Sequence, residues 1–236
     1  MNKAVTYVTV LLVVFAGCKA DCDLTGSGVV VSKSVDVLPL TRIENNSPFD
    51  IKIYPDTASY VDINADDNII DRLYAVDSAG VLSIGFDNTT PFCKVNVDII
   101  VHLPLVNKVI NRGQGNVDFV GNLQLDSLFL ESYSSGGTKL AGGFNYLYVY
   151  NEGNGNLNLS GSVKHYQVLT TGSTNIGDYS LLADSAFIES SSAGYTQFSV
   201  KKYLKVKMSG SGNIYYYGTP VVEAQVTGSG NVIKAD

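Results

Sequence analysis

The residues whose types suit chemistry are few: two His, three Arg, three Cys and some clustered acids and hydroxyls in 236 residues. His102 lies out of phase with Val95, Val97, Ile99, Val101 and Leu103, which alternate as one inward face, so it is expected to point away from the core. His165 has no ligand-type residue at a short spacing, and neither His supports a zinc site. Asp66, Asp67 and Asp71 form the densest acidic cluster, yet they lack the Asp-x-Asp-x-Asp-Gly order of a calcium loop and read as a solvated turn. A polysaccharide lyase or hydrolase would need paired acids with a neighbouring base in a groove. Of Asp118, Asp178, Glu131 and Glu189, the two Glu occur in matching phrases, Ser127-Leu-Phe-Leu-Glu131 and Ser185-Ala-Phe-Ile-Glu189, which reads as a repeated solvent-facing strand position. Ser190-Ser191-Ser192 has no nucleophile elbow around it. No catalytic residue, metal or cofactor is assigned, and the chain is expected to be no enzyme.

Binding chemistry is better represented. Phe129, Tyr146, Tyr148, Tyr150, Phe187 and Tyr203, with His165 among them, offer planar rings suited to stacking on sugar faces or on a surface protein. The competing reading is cross-strand aromatic pairing that steadies a sheet. Either reading requires elements that bring residues as far as 74 positions apart onto one surface.

A repeat supplies them. Gly-x-Gly-Asn-hydrophobic recurs at Gly113, Gly153, Gly210 and Gly228, with degenerate copies at Gly136, Gly172 and Ala193, so the Asn or Thr position steps by 17 to 22 residues. Between these turns lie alternating runs whose inward pairs read Leu128/Leu130, Leu147/Val149, Tyr166/Val168, Ala186/Ile188, Leu204/Val206 and Val222/Ala224, stepping by 18 to 20. Period two means β-strands with one buried face, and the Gly turns are expected to supply positive φ at the corners. A unit of about 19 residues cannot bury its own apolar face, so units must stack. The expected fold is an all-β solenoid, a single-stranded β-helix, in which Asn116, Asn156, Asn175, Asn213 and Asn231 form a structural ladder at one corner. Residues 26–110 use the same strand alphabet without a clear period and are expected to form irregular capping coils; residues 111–236 form the regular ones. Together they read as one domain, 26–236.

The N-terminus gives an address. Met-Asn-Lys, a predominantly apolar run from Ala4 to Phe15 and then Ala16-Gly17-Cys18 have the layout of a secretory signal. Phe15-Ala16-Gly17-Cys18 resembles the bacterial lipoprotein signal, which implies a signal peptide at 1–17, lipid on Cys18, a tether over 18–25 and membrane attachment through that lipid. Lys19 followed by acids resembles surface-export signals of Gram-negative lipoproteins, so an outer-membrane lipoprotein exposed at the cell surface is expected. Cys22 and Cys93 remain; in an oxidising compartment they form one disulfide or stay as two thiols, and a single sequence does not decide. With 16 Lys+Arg against 22 Asp+Glu the net charge is −6, and removing residues 1–17, whose one charge is Lys3, leaves −7, a balance that argues against a nucleic-acid partner, and none is expected.

The phrases Gly26-Ser27-Gly28-Val29-Val30, Thr41-Arg42-Ile43, Phe49-Asp50-Ile51-Lys52-Ile53, Gly210-Ser211-Gly212-Asn213-Ile214 and Gly228-Ser229-Gly230-Asn231-Val232 resemble the putative auto-transporter adhesin, head GIN domain family. The resemblance covers residues 26 to 233 and implies a right-handed β-helical exported protein. It transfers no binding residues. Three functional readings follow: a non-catalytic surface module binding a glycan or protein, a carbohydrate-active enzyme on a β-helix, and an envelope component that stacks on itself through its last coil, Val222 to Val232.

Overall fold

A computed structural model describes residues 22–87, 90–177 and 179–236. Its strands in chain order are β1 Leu24–Thr25, β2 Val30–Asp36, β3 Arg42–Asn45, β4 Ile51–Pro55, β5 Tyr60–Asp66, β6 Leu73–Ser78, β7 Val81–Phe86, β8 Phe92–Cys93, β9 Val97–Leu103 and β10 Lys108–Asn111. The regular region continues with β11 Val117–Phe119, β12 Leu123–Ser132, β13 Thr138–Asn151, β14 Leu157–Thr170, β15 Leu181–Ser190, β16 Thr196–Met208, β17 Ile214–Tyr217, β18 Val221–Val226 and β19 Val232–Lys234. One 3-10 turn, Ile70–Arg72, precedes β6.

The chain winds as a β-solenoid. In β13 and β14 a single long strand bends around two corners, and the register Thr138↔Leu157 and Leu147↔Tyr166 fixes the coil at 19 residues. One face stacks β7, β3, β10 and the C-terminal parts of β12 to β16, then β18, all in parallel. A second face stacks β9, β4, β11, the N-terminal parts of β13, β14 and β16, then β17 and β19, with Ile176 bridging the gap. The shortest face runs through Leu123, Gly142, Gly161 and Leu181. Two inward columns fill the centre: Leu128, Leu147, Tyr166, Ala186 and Leu204, and beside them Leu130, Val149, Val168, Ile188 and Val206, all buried. The expected inward pair Val222/Ala224 does continue these columns in register, opposite Leu204 and Val206, but it is exposed because nothing described stacks over it.

The irregular half is a cap of a specific kind. β6 runs antiparallel on β7, and β2 runs antiparallel on β5, which is itself antiparallel to β9, so both long faces end at this pole in reversed strands. One face is closed by the short β6–β7 hairpin and the other by the long-range antiparallel pairs β5–β9 and β2–β5, which a period-19 reading does not contain. Cys22 is bonded to Cys93 with their Cα atoms 5.7 Å apart, tying the N-terminal segment to β8 across a separation of 71 residues. Cross-linking a loop of that size stabilises by about 4 kcal/mol on the chain-entropy account.

Two expectations are corrected here. The glycines with positive φ are Gly28, Gly80, Gly121, Gly161, Gly177 and Gly218, none of which belongs to a Gly-x-Gly-Asn turn. The turn glycines are needed for a different reason: each lies directly over the backbone of the preceding turn, so a Cβ at Gly155 would overlap the Gly136 carbonyl and one at Gly212 the Gly194 carbonyl. Coils 4.7–4.9 Å apart, a spacing set by strand pairing at about that value, leave no room there for a side chain. The second correction concerns Asp66, which is fully buried at the end of β5 rather than part of a solvated turn. Its carboxylate accepts from the Asn96 side chain at 3.0 Å, the Asn96 N–H at 2.7 Å and the Gly28 N–H at 3.1 Å, pinning the start of β2 to β5 and the entry to β9.

Those bonds, the Asn96 side chain foremost, hold the Asp66 carboxyl below its ordinary value of 3.8. A depressed folded-state value contributes stability that is present above the unfolded value and is lost as pH falls through the folded one. Asp66→Asn is therefore expected to lower the melting temperature clearly at neutral pH and by progressively less as pH falls below 3.8 and the parent carboxyl takes up its own proton. Thermal melts of both proteins across that range check it; a deficit independent of pH would show that the charge is not what counts.

Candidate functional site

Strand register places the outward residues of the regular coils in rows. One row reads Ser127, Tyr146, His165, Ser185, Tyr203, and the next, two residues along each strand, reads Phe129, Tyr148, Gln167, Phe187, Lys205. The inward residues between them, Leu128, Leu147, Tyr166 and Ala186, form the floor of a groove of about 550 Å³ bounded by both rows. That volume lies within the range of about 300–1,000 Å³ typical of small-ligand sites. The floor is formed by the strands carrying these inward residues, while the walls are rings.

The rings are ordered by one another. Tyr146 stacks on His165 with centroids 4.8 Å apart, and Phe129 packs at 5.8 Å on Tyr148. Phe129 and Tyr146 remain 43% and 54% exposed, so their faces are available from solvent. Tyr203 closes the groove at its C-terminal end, where its hydroxyl donates to Glu223 at 2.7 Å. Glu223 also accepts from Lys205 at 2.7 Å, and this bond and that of Tyr203 hold its carboxyl below the ordinary range. The same hydrogen bond raises the Tyr203 phenol. At the base, the fully buried Tyr166 hydroxyl has no partner, and burial pushes its titration far above the ordinary range, so it stays neutral.

Of the aromatic positions singled out from sequence, Phe129, Tyr146, Tyr148, Phe187 and Tyr203 line the groove together with His165. Tyr150 does not. It sits two residues further along β13, in the row Glu131, Tyr150, Leu169, Glu189, where its ring packs at 5.4 Å on Tyr133 and its hydroxyl donates to Glu152. The polar half of the site was missed by sequence reading. A depression of about 520 Å³ adjoins the groove, sharing Asp126 with it and lined by Gln124, Asn145, Lys164, Asp184 and Lys201. Asn145 donates to Asp126 at 2.5 Å, and Lys201 and Lys202 bracket Asp184 at 3.3 and 2.8 Å. Asp126, Asn145 and Lys164 follow the 19-residue step and so fall on successive coils, but their types do not repeat and no motif singled them out.

Other candidates resolve differently. Glu131 and Glu189 occupy one row but are separated by two intervening coils, about 14 Å at strand spacing, beyond the reach of a glycosidase carboxylate pair. Glu131 instead pairs with Lys108 at 2.6 Å and accepts from the Tyr133 hydroxyl. His102 is outward, sandwiched between Tyr60 at 4.2 Å and Tyr54 at 5.5 Å, with Nδ1 2.9 Å from Asp56. The Asn ladder joins coil to coil: the side-chain oxygens of Asn116, Asn156, Asn175 and Asn213 accept from the backbone N–H groups of Gly137, Asn175, Tyr195 and Asn231 on the following turn. A second, buried ladder runs inside the same corner, with Asn45 donating to Asn111 at 3.1 Å and Asn111 to the Gly115 carbonyl at 3.0 Å. Cys18 and Asp178 lie outside the described residues. Among the described residues, no group of three or more His, Cys, Asp or Glu side chains is placed to hold a metal ion, and no helix is long and apolar enough to cross a membrane.

Residues 39–220 match the family model described as putative auto-transporter adhesin, head GIN domain. The chain belongs to this family. Solved structures agree on the fold of the GIN domain. A putative adhesin from Bacteroides fragilis NCTC 9343 superposes with a TM-score of 0.80 at 20% identity, over 90% of this chain and 100% of that one. Two proteins from Parabacteroides distasonis ATCC 8503, each aligned over 90% of this chain and 99% of their own, are also similar: a putative adhesin at TM-score 0.68 and 18% identity, and a putative lipid binding protein at 0.70 and 20%. No curated protein matches the sequence. The GIN domain therefore brings a β-solenoid scaffold and a family described as adhesive, while the groove residues belong to this chain's own reading.

Proposed function

We propose that this GIN-domain chain is a non-catalytic adhesin of the cell envelope, carried as an outer-membrane lipoprotein on lipidated Cys18, and that it binds a glycan in the aromatic groove. The observation that carries the reading is the pairing of an aromatic groove with an adjoining polar depression through Asp126. Sugars present an apolar face and a rim of hydroxyls, so ring stacking and convergent amide, carboxylate and ammonium groups fit both aspects of one ligand. The rigid sheet holds the rings in place before binding, which limits the ordering cost.

Replacing Tyr146, Tyr148 and Phe187 together by Ser is expected to weaken glycan binding at least tenfold, since each ring contact contributes about 0.5–1.5 kcal/mol. Tyr150→Ser, outside the groove, should leave it unchanged. A glycan array followed by titration of the best hit checks this, and undiminished binding by a folded triple variant would remove the groove from the proposal. The lipid-binding description of one structural neighbour favours a second reading, in which the rings receive an acyl chain; binding to phospholipid vesicles, lost in the same triple variant, would select it.

A further inference from the structure

The two poles of the solenoid are finished differently. At the N-terminal pole the outermost strands carry charges on their inward side. Lys33 of β2 stands opposite buried Ile63, and Asp77 of β6 opposite buried Leu82. Asp77 also accepts the Leu38 N–H at 2.9 Å. Inward charges on edge strands are a device against further strand pairing, because a stacked neighbour would bury them.

The C-terminal pole lacks this protection on its β18 face. β18 pairs with β16 alone, and among the described residues nothing meets its outer edge. All six residues are exposed. Its inward positions are Val222, Ala224 and Val226, in register with buried Leu204, Val206 and Met208, and Val222 and Val226 are 39% and 42% exposed. The charged inward residue at this pole, Lys234, lies on the other face, on β19. β18 thus offers a free ladder of backbone donors and acceptors beside uncovered core.

We infer that this edge takes a second copy of the chain, β18 against β18, antiparallel about a two-fold axis through Ala224. The sequence is self-complementary in that register. Val222 meets Val226, Ala224 meets Ala224, and Glu223 stands opposite Gln225, so inward residues face inward residues and no like charges are opposed. Moving the register by two residues in one direction sets Glu223 against Glu223, and in the other leaves Val222 opposite Gly228. Glu223 is already neutralised by Lys205, so burial of its flank adds no unpaired charge. Head-to-tail stacking would instead set this edge against Asp77 of β6, and β19 against Lys33 of β2. The pairing is isologous and closes at two copies, which doubles the number of grooves on one rigid rod without building a fibre.

Sedimentation velocity of the purified full-length protein over a wide concentration range tests the pairing. Concentration-dependent dimers are expected, and a strict monomer or open-ended polymers would overturn the proposal. Ala224→Lys and Ala224→Glu each set like charges across the axis at a position exposed in the monomer. Each should therefore fold normally by circular dichroism and dimerise at least tenfold more weakly, while an equimolar mixture of the two should recover the dimer. Variants that dimerise as the parent does, or a mixture that fails to recover it, would overturn the register.

Discussion

Val168→Asp is expected to unfold the central coils, whereas Gln167→Asp, one residue earlier in the same strand, is expected to change stability by no more than about 0.5 kcal/mol. Val168 is fully buried in the inward column between Val149 and Ile188, with Leu130 and Val206 beyond them. A carboxylate there has only apolar neighbours along its column, and an unpartnered buried charge costs several kcal/mol or forces protonation. Domains of ordinary stability hold about 5–15 kcal/mol in total, so one such defect consumes a large part of it. In a stack the damage also spreads, since each coil is stabilised mainly by its neighbours. Gln167 points out of the same strand into solvent at the groove, where a carboxylate is hydrated. Chemical denaturation followed by circular dichroism separates the two outcomes, and equal tolerance at both positions would refute the strand register.

Gly155→Ala is expected to cost about 3 kcal/mol although it adds one methyl group. The new Cβ would overlap the backbone carbonyl of Gly136 on the preceding coil, and a backbone atom cannot swing aside as a flexible side chain can. Relief would require the coils to separate at this corner, which breaks the bond from the Gly155 N–H to the Ser134 carbonyl. Gly80→Ala makes the contrast. Nothing lies within 4 Å of a Cβ there, but φ is +80°, so the cost is the left-handed backbone alone, about 1–2 kcal/mol. Melting temperatures of the two variants distinguish crowding from conformational strain, and a milder effect at Gly155 than at Gly80 would contradict the stacked-turn account.

Periodicity was legible because a solenoid repeats its physics every coil. Leu147, Tyr166 and Leu204 face inward for the same reason at each step, and Asn116, Asn156 and Asn175 recur because each must satisfy the turn that follows. The cap was not legible, because antiparallel closure by β2, β5 and β6 occurs once and leaves no repeat to detect. Asp66 shows the same limit: three neighbouring acids look solvated until Asn96, 30 residues away, is seen to donate to one of them.

The groove divides in a similar way. Alternation put Phe129, Tyr146, Tyr148, Phe187 and Tyr203 outward, so their availability was written in the sequence, as was the 19-residue coil itself. That Tyr150 leaves the group and that Asp126, Asn145 and Lys164, though spaced at the coil period, line an adjoining depression depended on the fold. Local alternation and repeat length are fixed by the backbone's own period and so survive in one dimension. Which outward side chains share a concavity depends on where the coil bends and what stacks beneath it, and those are properties of neighbouring coils held together in three dimensions.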